Sequence, residues 1–363
     1  MASIEVENTL HDSVEAMLSP ENLSQLLGKP VTHVDSGDAA VWGNAGSQFT
    51  PVDTDTGRLI LKTMSMDSDW EMFATDDSLC RSVTTWQYGL LDRARPHLDA
   101  AVLACAREGD LWAILMPDLS GRFLRDTPQN SPSPEMLEML PRFLDGLAGM
   151  HAEFWEDPAL DDPRLGLDDP RGLLQLTSPT FARKHLGKWD TWLLAGAVDG
   201  WVALQAALDD DAAAQARALI DDPQPLLEAL GRHPSTFLHG DLYEPNLARN
   251  GDHLIAVDWQ LAMHSVATID LARLVLGVCE DGGSQARAVQ HYRDRLEGHL
   301  GSRFADDQWE EMVDLGILTE VLWIVPFLAW LASVSDDPAW VAKHTRRVDA
   351  ANEQIRNGVR WLS

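Results

Sequence analysis

Residues 236–273 constrain the fold of this chain more than any other stretch. One apolar run ends at Asp241, and a second apolar run ends at Asp258. Between the two runs lies Asn250-Gly251, the dipeptide most typical of a tight turn between antiparallel strands. The sequence therefore predicts a β-hairpin that brings Asp258 back to the end of the ribbon where Asp241 lies.

A third oxygen-bearing side chain, Asn246, follows Asp241 by five residues. If the Asn-Gly pair forms a simple two-residue turn, Asn246 lies opposite Ile255, roughly 10 Å along the strand from Asp258. Asn246 is therefore expected in a loop before the strand, curled back toward Asp258. Two carboxylates and an amide oxygen at one sheet edge suit Mg²⁺, which takes few protein ligands and leaves room for phosphate oxygens.

Three interpretations of this cluster are open at this point. In the first, Asn246 and Asp258 bind Mg²⁺ on nucleotide phosphates while Asp241 orients an acceptor hydroxyl, and the Asp-x-x-x-x-Asn spacing is that of the protein-kinase catalytic loop. In the second, these aspartates join His239 and His253 in a zinc or two-metal site for hydrolysis. The predicted hairpin turn places His253 far from the open end, which disfavours that site. In the third, the residues are a strand-ending turn and a strand cap, which explains each residue but not the ordered set.

A second candidate region lies upstream, where residues 31–62 have the pattern of successive strands. The turn from Gly43 to Ser47 could bring backbone N–H groups close to phosphate, although most such turns are only turns. The last strand ends in Lys62, and a lysine at a strand end usually lies in solvent. The phosphate-binding interpretation gains weight because a glycine turn precedes Lys62 and a predicted metal cluster follows it.

The pattern of predicted elements changes near residue 118. A hairpin over residues 100–116 closes a strand-rich first lobe, 1–118, and helical periodicity dominates a second lobe, 119–363. In the first helix of that second lobe, His151 lies on an apolar stripe and is expected to be a core histidine. The apolar run 315–334 is expected to be a buried helix because its uninterrupted part is too short to span a membrane.

Composition narrows the classes of partner. The 363-residue chain has a formal net charge of −29, which disfavours nucleic acid and anionic membranes as partners and permits a cationic small molecule. Its three cysteines match no metal spacing and suggest no disulfide framework. With no signal-peptide pattern at the start of the sequence, we expect a cytoplasmic protein.

An ordered set of motifs resembles one known family, the aminoglycoside phosphotransferase and choline kinase group. The set comprises His239-Gly240-Asp241, Asn246, Asp258-Trp259 and Asp270-Leu271-Ala272. The likeness spans most of residues 31–275. It implies an α+β, bilobal protein-kinase-like fold with a small antiparallel-sheet N-lobe and a larger, mostly helical C-lobe.

The resemblance also implies a role for each matching residue. Asp241 would be the catalytic Asp, Asp270 would brace the catalytic loop, and His239 would be a packing residue. The remaining expected site comprises Asn246 and Asp258 as Mg²⁺ ligands, Lys62 on the α/β-phosphates, Gly43, Gly46 and Ser47 over the phosphates, and backbone near Met116 at the adenine. The nucleotide is expected to be ATP, with GTP as an open alternative, since Pro117 removes a backbone donor from the hinge.

Besides Pro117, which stands where the family commonly has an acidic residue, a second feature departs from the family pattern. The family's helix after the lysine strand supplies a Glu that pairs with the lysine, whereas this chain has Ser82 at the best-matching position. Glu71, Asp76 and Asp77 are the candidate replacements. The missing Glu also leaves open a kinase-like protein that binds nucleotide without transferring phosphate.

The acceptor is expected to be a small molecule. Only eleven residues separate Asp258 from Asp270, which leaves no room for the activation loop of a protein kinase. The resemblance therefore implies transfer to a hydroxyl group of an aminoglycoside-like molecule, an amino alcohol or another alcohol, and the acidic composition permits a cationic one. Glu320, an acid inside an apolar run, is costly to bury without a partner, and we expect it to face the acceptor pocket.

Overall fold

A computed structural model of the protein describes residues 4–41, 45–124, 132–189 and 191–362. This part of the chain forms a strand-rich first lobe and a helical second lobe. The strands are β1 (Val34–Ser36), β2 (Ala40–Val41), β3 (Gln48–Thr54), β4 (Gly57–Met64), β5 (Ala104–Glu108), β6 (Leu111–Pro117), β7 (Thr236–Leu238), β8 (Leu247–Asn250), β9 (His253–Ala256) and β10 (Met263–Ser265). The helices are α1 (Val14–Met17), α2 (Pro20–Leu27), α3 (Trp70–Ala74), α4 (Arg81–Gln87), α5 (Leu90–Ala94), α6 (Pro134–Glu153), α7 (Pro170–Leu176), α8 (Pro179–His185), α9 (Trp192–Ala207), α10 (Asp210–Asp221), α11 (Gln224–Leu230), α12 (Thr268–Val278), α13 (Gly282–Leu300), α14 (Asp306–Val334) and α15 (Pro338–Val359).

The first-lobe sheet is antiparallel, in the order β1-β3-β4-β6-β5, with β2 paired to β3. Side chains alternate between its two faces because the strand period is two. On one face Leu59 and Leu61 pack in a core with helices α1 and α2. On the other face Lys62 and Met64 point toward the second lobe, where Met64 joins the main core. Strand β4 thereby directs Lys62 into the space between the lobes.

The segment between β4 and β5 differs in detail from its predicted form. Residues 79–98, whose sequence predicts one helix, form two short helices, α4 and α5, because Gly89 adopts a left-handed conformation with φ of 76° between them. The polar stretch 67–78 contains an unpredicted helix, α3. The Asp69 side chain caps α3 by accepting a hydrogen bond from the Met72 N–H at 3.0 Å. Sequence patterning missed α3 because it is only five residues long.

The second lobe begins with α6, which Ser133 caps by accepting from the Met136 N–H, as the Ser-Pro-Glu pattern predicts. Pro141 lies inside α6, and the helix continues through it. Among the described residues, α14 alone is long and apolar enough to cross a membrane, with a mean hydropathy of 1.9 in its most apolar window. However, 61% of that window is buried in the fold, in agreement with the predicted core helix.

The stretch 236–273 folds into the predicted hairpin, but with a corrected register. β8 and β9 pair as Leu247↔Ala256 and Asn250↔His253, so the turn residues are Gly251 and Asp252. The expected alignment of Asn246 with Ile255 is wrong by two positions. Asn246 aligns instead with Val257, next to Asp258. Strand β10, which the sequence did not predict, pairs with β7 and holds the far end of this region.

Candidate active site

The loop after β7 is fixed from beneath by Asp270, near the start of α12. Asp270 Oδ2 accepts a hydrogen bond from the His239 N–H at 2.8 Å, and Oδ1 accepts one from the Gly240 N–H at 2.9 Å. Burial raises the pKa of Asp270, but hydrogen bonds and charge from His151 and His239 more than offset this and lower it below its usual value. The predicted brace is therefore present in the structure.

Gly240 is required by the shape of this loop. Its φ is 86°, and a Cβ placed on it would lie 1.9 Å from the Leu261 carbonyl oxygen. Any side chain would therefore push the loop away from the segment that follows Asp258. The glycine of the His-Gly-Asp motif is explained by this close backbone contact.

Neither histidine named in the zinc interpretation is placed to bind zinc. His239 Nε2 lies 3.0 Å from the Val257 carbonyl oxygen, and its Nδ1 accepts from the Asp241 N–H at 3.2 Å. Both ring nitrogens are therefore engaged by backbone, in keeping with the predicted packing role, while His253 lies exposed beside the hairpin turn. Among the residues that the structure describes, no group of three or more His, Cys, Asp or Glu side chains could hold a metal ion.

His151 is the buried core histidine that the sequence predicts. It is fully buried, and its Nδ1 lies 2.5 Å from the hydroxyl oxygen of Tyr292. Its Nε2 lies 3.5 Å from Asp270 Oδ2, on the brace itself. This histidine therefore supports the catalytic loop from the core.

The structure brings Asp241, Asn246 and Asp258 together at one edge of the second lobe. The Asn246 side-chain amide donates to the Asp241 carbonyl oxygen at 3.0 Å and more weakly to its carboxylate at 3.3 Å. The Val257 N–H donates to the Asn246 carbonyl oxygen at 2.9 Å, which holds Asn246 beside the residue before Asp258. The chain around Asn246 is a short 3₁₀ turn, Glu244–Asn246, in keeping with the expected curled loop.

Asp258 lies at the end of the hairpin in a left-handed conformation with φ of 70°. Such a conformation costs a non-glycine residue about 1–3 kcal/mol and tends to occur at functional sites. Its side chain is 37% exposed, and its Oδ1 accepts from Lys62 Nζ at 2.8 Å. Lys62 thus reaches across from the first lobe and pairs with the predicted metal ligand.

Lys62 has a second partner, Gln260, which the sequence gave no reason to single out. Lys62 Nζ donates to Gln260 Oε1, and Gln260 Nε2 donates to Asp69 Oδ1 at 3.1 Å. All three side chains are buried, with exposures of 4%, 3% and 0%. The amide therefore connects the lysine to a buried acid that it does not touch directly.

Burial and neighbouring charges explain the pKa shifts of the side chains around Lys62. Burial lowers the pKa of Lys62, but the charges of Asp258, Asp69 and Glu71 overcome it, and the net pKa is raised. Burial also raises the pKa of Asp69, opposed by the charge of Lys62. Burial raises the pKa of Glu71 well above its usual value, and Asp258, Asp69 and Asp241 add to the effect. Glu71 therefore lies close enough to these three carboxylates to be affected by their charges.

The buried acid that the structure connects to Lys62 is Asp69, through Gln260, and Asp69 is not among the candidate replacements that the sequence offers for the family's Glu. Of the three candidates from the sequence, Asp77 is engaged by Arg81, whose N–H donates to it at 2.9 Å, and Asp76 is exposed. Glu71 acts on Lys62 through charge. Only the folded structure shows the amide bridge, because Asp69 and Gln260 are far apart in sequence.

Arg81 fixes the position of Gln260 from the other side. Its Nη1 donates to the Gln260 carbonyl oxygen at 3.4 Å and to Asp168 Oδ2 at 2.9 Å, and its Nε donates to the Gly166 carbonyl oxygen at 3.1 Å. These bonds tie helix α4 to the second lobe. Arg81, the residue before Ser82, therefore helps to attach α4 to the second lobe.

The part of the glycine turn that the structure describes is packed against the start of α3. Ser47 Oγ donates to Asp69 Oδ2 at 2.6 Å and is buried. Gly46 has φ of 107°, and a Cβ on it would lie 2.2 Å from the Ser68 carbonyl oxygen. These contacts explain the residue types by packing, and the predicted phosphate-covering role of Gly46 and Ser47 stays a prediction. Gly43 lies outside the described residues.

Met116 lies near the end of β6, where one backbone edge becomes available. β5 pairs with β6 only as far as Ala104↔Leu115, whereas β6 continues to Pro117 and remains paired with β4. The Leu115 C=O faces the β5 edge, where it accepts from the Leu103 N–H at 2.8 Å, so the N–H and C=O of the next residue, Met116, face β4. The contact of backbone near Met116 with a nucleobase, which the resemblance implies, stays a prediction.

A further charged residue, Arg273, contacts Asp241 directly. Its Nε and Nη2 lie 2.9 and 2.8 Å from Asp241 Oδ1. Its Nη1 lies 3.4 Å from Glu320 Oε1. Glu320 is thus buried and paired with Arg273 rather than open to an acceptor pocket, which corrects the expected orientation. The sequence offered one clue, since Arg273 directly follows the Asp-Leu-Ala motif.

Residues 52–305 of the chain match the model of the phosphotransferase enzyme family, known as APH. The chain belongs to this family. No curated protein sequence matches it. The resemblance inferred from the ordered motifs is therefore confirmed, and membership of APH supports a phosphotransferase that acts on a small molecule.

Three solved structures resemble this APH protein in fold. A choline kinase from Cryptosporidium parvum Iowa II gives a TM-score of 0.53 at 10% identity, covering 90% of each chain. An ethanolamine kinase from Plasmodium vivax gives 0.51 at 11% identity, covering 86% of this chain and 81% of that one. An amicoumacin kinase in complex with AMP-PNP, Ca²⁺ and Ami gives 0.50 at 11% identity, covering 92% and 94%. At these identities the likeness shows the fold alone, and it confirms the predicted bilobal, protein-kinase-like fold.

The donor set of this APH protein fits a hard divalent cation. Asp258 uses one carboxylate oxygen for Lys62, and Asn246 uses its amide N–H for Asp241. Within the described residues, the other Asp258 oxygen and the Asn246 side-chain oxygen have no hydrogen-bond partner. A carboxylate oxygen and an amide oxygen suit Mg²⁺, which completes its shell with water and phosphate oxygens. The assignments of Asn246 and Asp258 as metal ligands remain predictions.

Proposed function

We propose that this chain transfers the γ-phosphate of ATP, with Mg²⁺, to a hydroxyl group of a small molecule. The observation that carries the proposal is the meeting of Asp241, Asn246 and Asp258 at one edge of the second lobe, with Lys62 reaching Asp258 from the first. Phosphoryl transfer needs little covalent chemistry from a protein, but it needs in-line positioning and charge neutralisation. This arrangement supplies groups for both.

Each residue has a separate task in this proposal. Asp241 accepts the hydrogen bond of the acceptor hydroxyl and orients its oxygen toward the γ-phosphorus. As the new P–O bond forms, the bond to the β,γ-bridging oxygen breaks, ADP leaves, and Asp241 takes up the hydroxyl proton. Lys62 moves from Asp258 to the α/β-phosphates when nucleotide enters. Mg²⁺, held by Asn246 and Asp258, supplies neutralisation of phosphate charge.

The acceptor belongs to a broad class of alcohols. Choline and ethanolamine kinases are among the proteins of similar fold, so amino alcohols are the first acceptors to screen, followed by aminoglycosides and neutral sugars. The formal net charge of −29 is compatible with a cationic acceptor and unfavourable to nucleic acid or an anionic membrane surface.

Hydrolysis of Mg·ATP in water tests the catalytic assignment without knowledge of the acceptor. We expect slow ADP release from the wild type and its loss in Asp241→Ala, which should still bind Mg·ADP. Mg·GTP should be assayed in parallel because the hinge leaves GTP open. If Asp241→Ala releases ADP as fast as the wild type, Asp241 is not the catalytic residue. If the wild type binds nucleotide but transfers phosphate neither to water nor to any acceptor, the protein is a nucleotide-binding member without transferase activity.

A further inference from the structure

The Asp241 carboxylate is held asymmetrically. Both contacts from Arg273 fall on Oδ1, at 2.9 Å from Nε and 2.8 Å from Nη2. From the residues that the structure describes, the other oxygen, Oδ2, receives only the 3.3 Å contact of the Asn246 amide. Arg273 therefore fixes one oxygen of the carboxylate and leaves the other oxygen to a further partner.

Arg273 lies over two aromatic rings. Its guanidinium carbon lies 4.5 Å from the centre of the Tyr243 ring and 4.7 Å from the centre of the Trp323 ring. A planar guanidinium in contact with two rings is more restricted in orientation than a flexible lysine ammonium would be. Since the guanidinium already contacts both rings, this aromatic pair is not an open site for a cationic acceptor.

The edge of the guanidinium is anchored by a buried chain of alternating charges. Glu320 is 1% exposed and accepts from Arg273 Nη1 at 3.4 Å and from Arg347 Nη2 at 3.2 Å. Arg347 Nη1 in turn donates to the Leu276 carbonyl oxygen at 2.8 Å. With Asp241 the four side chains carry two negative and two positive charges, so each buried charge has an opposite neighbour. Removal of one member would leave its neighbour uncompensated.

Three of these groups come from helices that lie beyond the family match. The match ends at residue 305, whereas Glu320 and Trp323 lie on α14 and Arg347 lies on α15. The last two helices thus reach the predicted catalytic carboxylate through Arg273. This contribution comes from the C-terminal part of the chain and was not expected from the motifs.

We propose that Arg273 is a positioning residue that sets the orientation of the Asp241 carboxylate, and that Glu320 and Arg347 hold Arg273 in place for this task. The inference rests on the proposed function, since it assumes that Asp241 orients the attacking hydroxyl. An error of about 1 Å in such an orientation costs roughly 100-fold in rate. A purely structural arginine would stabilise the fold without affecting turnover in this way.

The test measures kcat for ADP release from Mg·ATP in water, together with the Kd for Mg·ADP. Arg273→Ala should lower kcat about 100-fold and change the Kd less than threefold. Guanidinium chloride at low millimolar concentration should restore part of the activity of Arg273→Ala, because the ion can occupy the space that the missing guanidinium leaves. Arg217→Ala is the matched control, since Arg217 forms an exposed pair with Asp221 on α10, and it should match the wild type with and without guanidinium.

Two further variants keep the inference open to refutation if Arg273→Ala does not fold. Arg273→Lys keeps the charge but cannot contact two carboxylates with one rigid plane, so kcat should fall at least tenfold. Glu320→Gln should lower kcat in the same direction by a smaller factor. A kcat within twofold of the wild type for both variants would overturn the positioning role.

The double variant separates this inference from the proposed function. In the Asp241→Ala background, Arg273→Ala should cause no further loss of the residual rate, because the group that it positions is absent. A loss as large as in the wild-type background would show that Arg273 acts independently of Asp241. If Asp241→Ala alone is fully active, the proposed function fails, whereas an inactive Asp241→Ala with a fully active Arg273→Ala overturns only the inference about Arg273.

Discussion

Replacement of Gln260 by leucine is the sharpest test of how Lys62 is held. Gln260 accepts from Lys62 and donates to Asp69, and both partners are charged and buried. Hydrogen bonds to charged groups contribute about 1.5–3 kcal/mol each, so the two bonds are worth about 3–6 kcal/mol together. Burial of a leucine at the same site returns about 1.5–3 kcal/mol. We therefore expect Gln260→Leu to lower the free energy of unfolding by about 1.5–3 kcal/mol.

The same variant should weaken nucleotide binding. Lys62 would keep Asp258 as its remaining direct partner, and its position between the lobes would be less restricted. A loss of about 1.4 kcal/mol of nucleotide affinity corresponds to a tenfold increase in the Kd for Mg·ADP. Urea unfolding measures the first quantity, and isothermal titration calorimetry measures the second.

The control is Gln290→Leu, an exposed glutamine on α13 whose amide contacts Asp294. It should change neither the free energy of unfolding nor the Kd by a measurable amount. If Gln260→Leu behaves like Gln290→Leu in both assays, the amide bridge from Lys62 to Asp69 does not hold the lysine, and our account of the missing Glu is wrong.

Three other predictions concern the catalytic loop and the lobe attachment. Asp270→Asn replaces one carboxylate oxygen by an NH₂ group, so the N–H of either His239 or Gly240 loses a charged acceptor and faces a donor. The free energy of unfolding in urea should therefore fall by about 3 kcal/mol. An unchanged midpoint of urea unfolding would contradict the bracing role of Asp270. Gly240→Ala should cost more than about 3 kcal/mol, because a Cβ there overlaps the Leu261 carbonyl oxygen. Gly251→Ala, with φ of 60° and open space around it, should cost only about 1–2 kcal/mol, and equal losses would refute the steric argument. Burial raises the pKa of Asp77 to about 6 from 3.8, so between pH 4 and 6 the folded protein keeps a proton that the unfolded chain has lost, and the free energy of unfolding falls by about 3 kcal/mol as pH rises. Asp77→Asn should remove that part of the slope in unfolding curves measured across this window, and an unchanged slope would show that Asp77 titrates normally.

The central hairpin could be predicted from sequence because its determinants are local. The Asn250-Gly251 pair indicates a turn, and the two apolar runs indicate strands. The register was predicted two positions out because the turn uses Gly251 and Asp252, and a one-residue choice of turn shifts every pair by two. Strand β10 was missed because it is three residues long and is held by a strand far away in sequence.

The meeting of Asp241, Asn246 and Asp258 could be predicted because these residues occur in a fixed order with fixed spacing, and their catalytic and metal-binding roles stay predictions. The residues around them could not, since Gln260, Asp69 and Arg273 acquire their roles only through contacts between distant segments. Glu320 illustrates the limit. The sequence correctly indicates that an acid in an apolar run needs a partner, but it does not indicate that the partners are Arg273 and Arg347.

The most direct test of the account is a transfer assay that follows the product as well as ADP. Purified wild type and Asp241→Asn are incubated with Mg·ATP and a panel of amino alcohols, aminoglycosides and sugars, and ³¹P NMR detects any phosphate monoester. We predict that the wild type forms a monoester with at least one alcohol, in one-to-one proportion to ADP. Asp241→Asn should form the monoester at least 1,000-fold more slowly, on the order of the loss seen when an essential catalytic group is removed, while binding Mg·ADP within threefold of the wild type. Equal rates of monoester formation by the two proteins would contradict the claim that Asp241 lies at the centre of a phosphotransfer site.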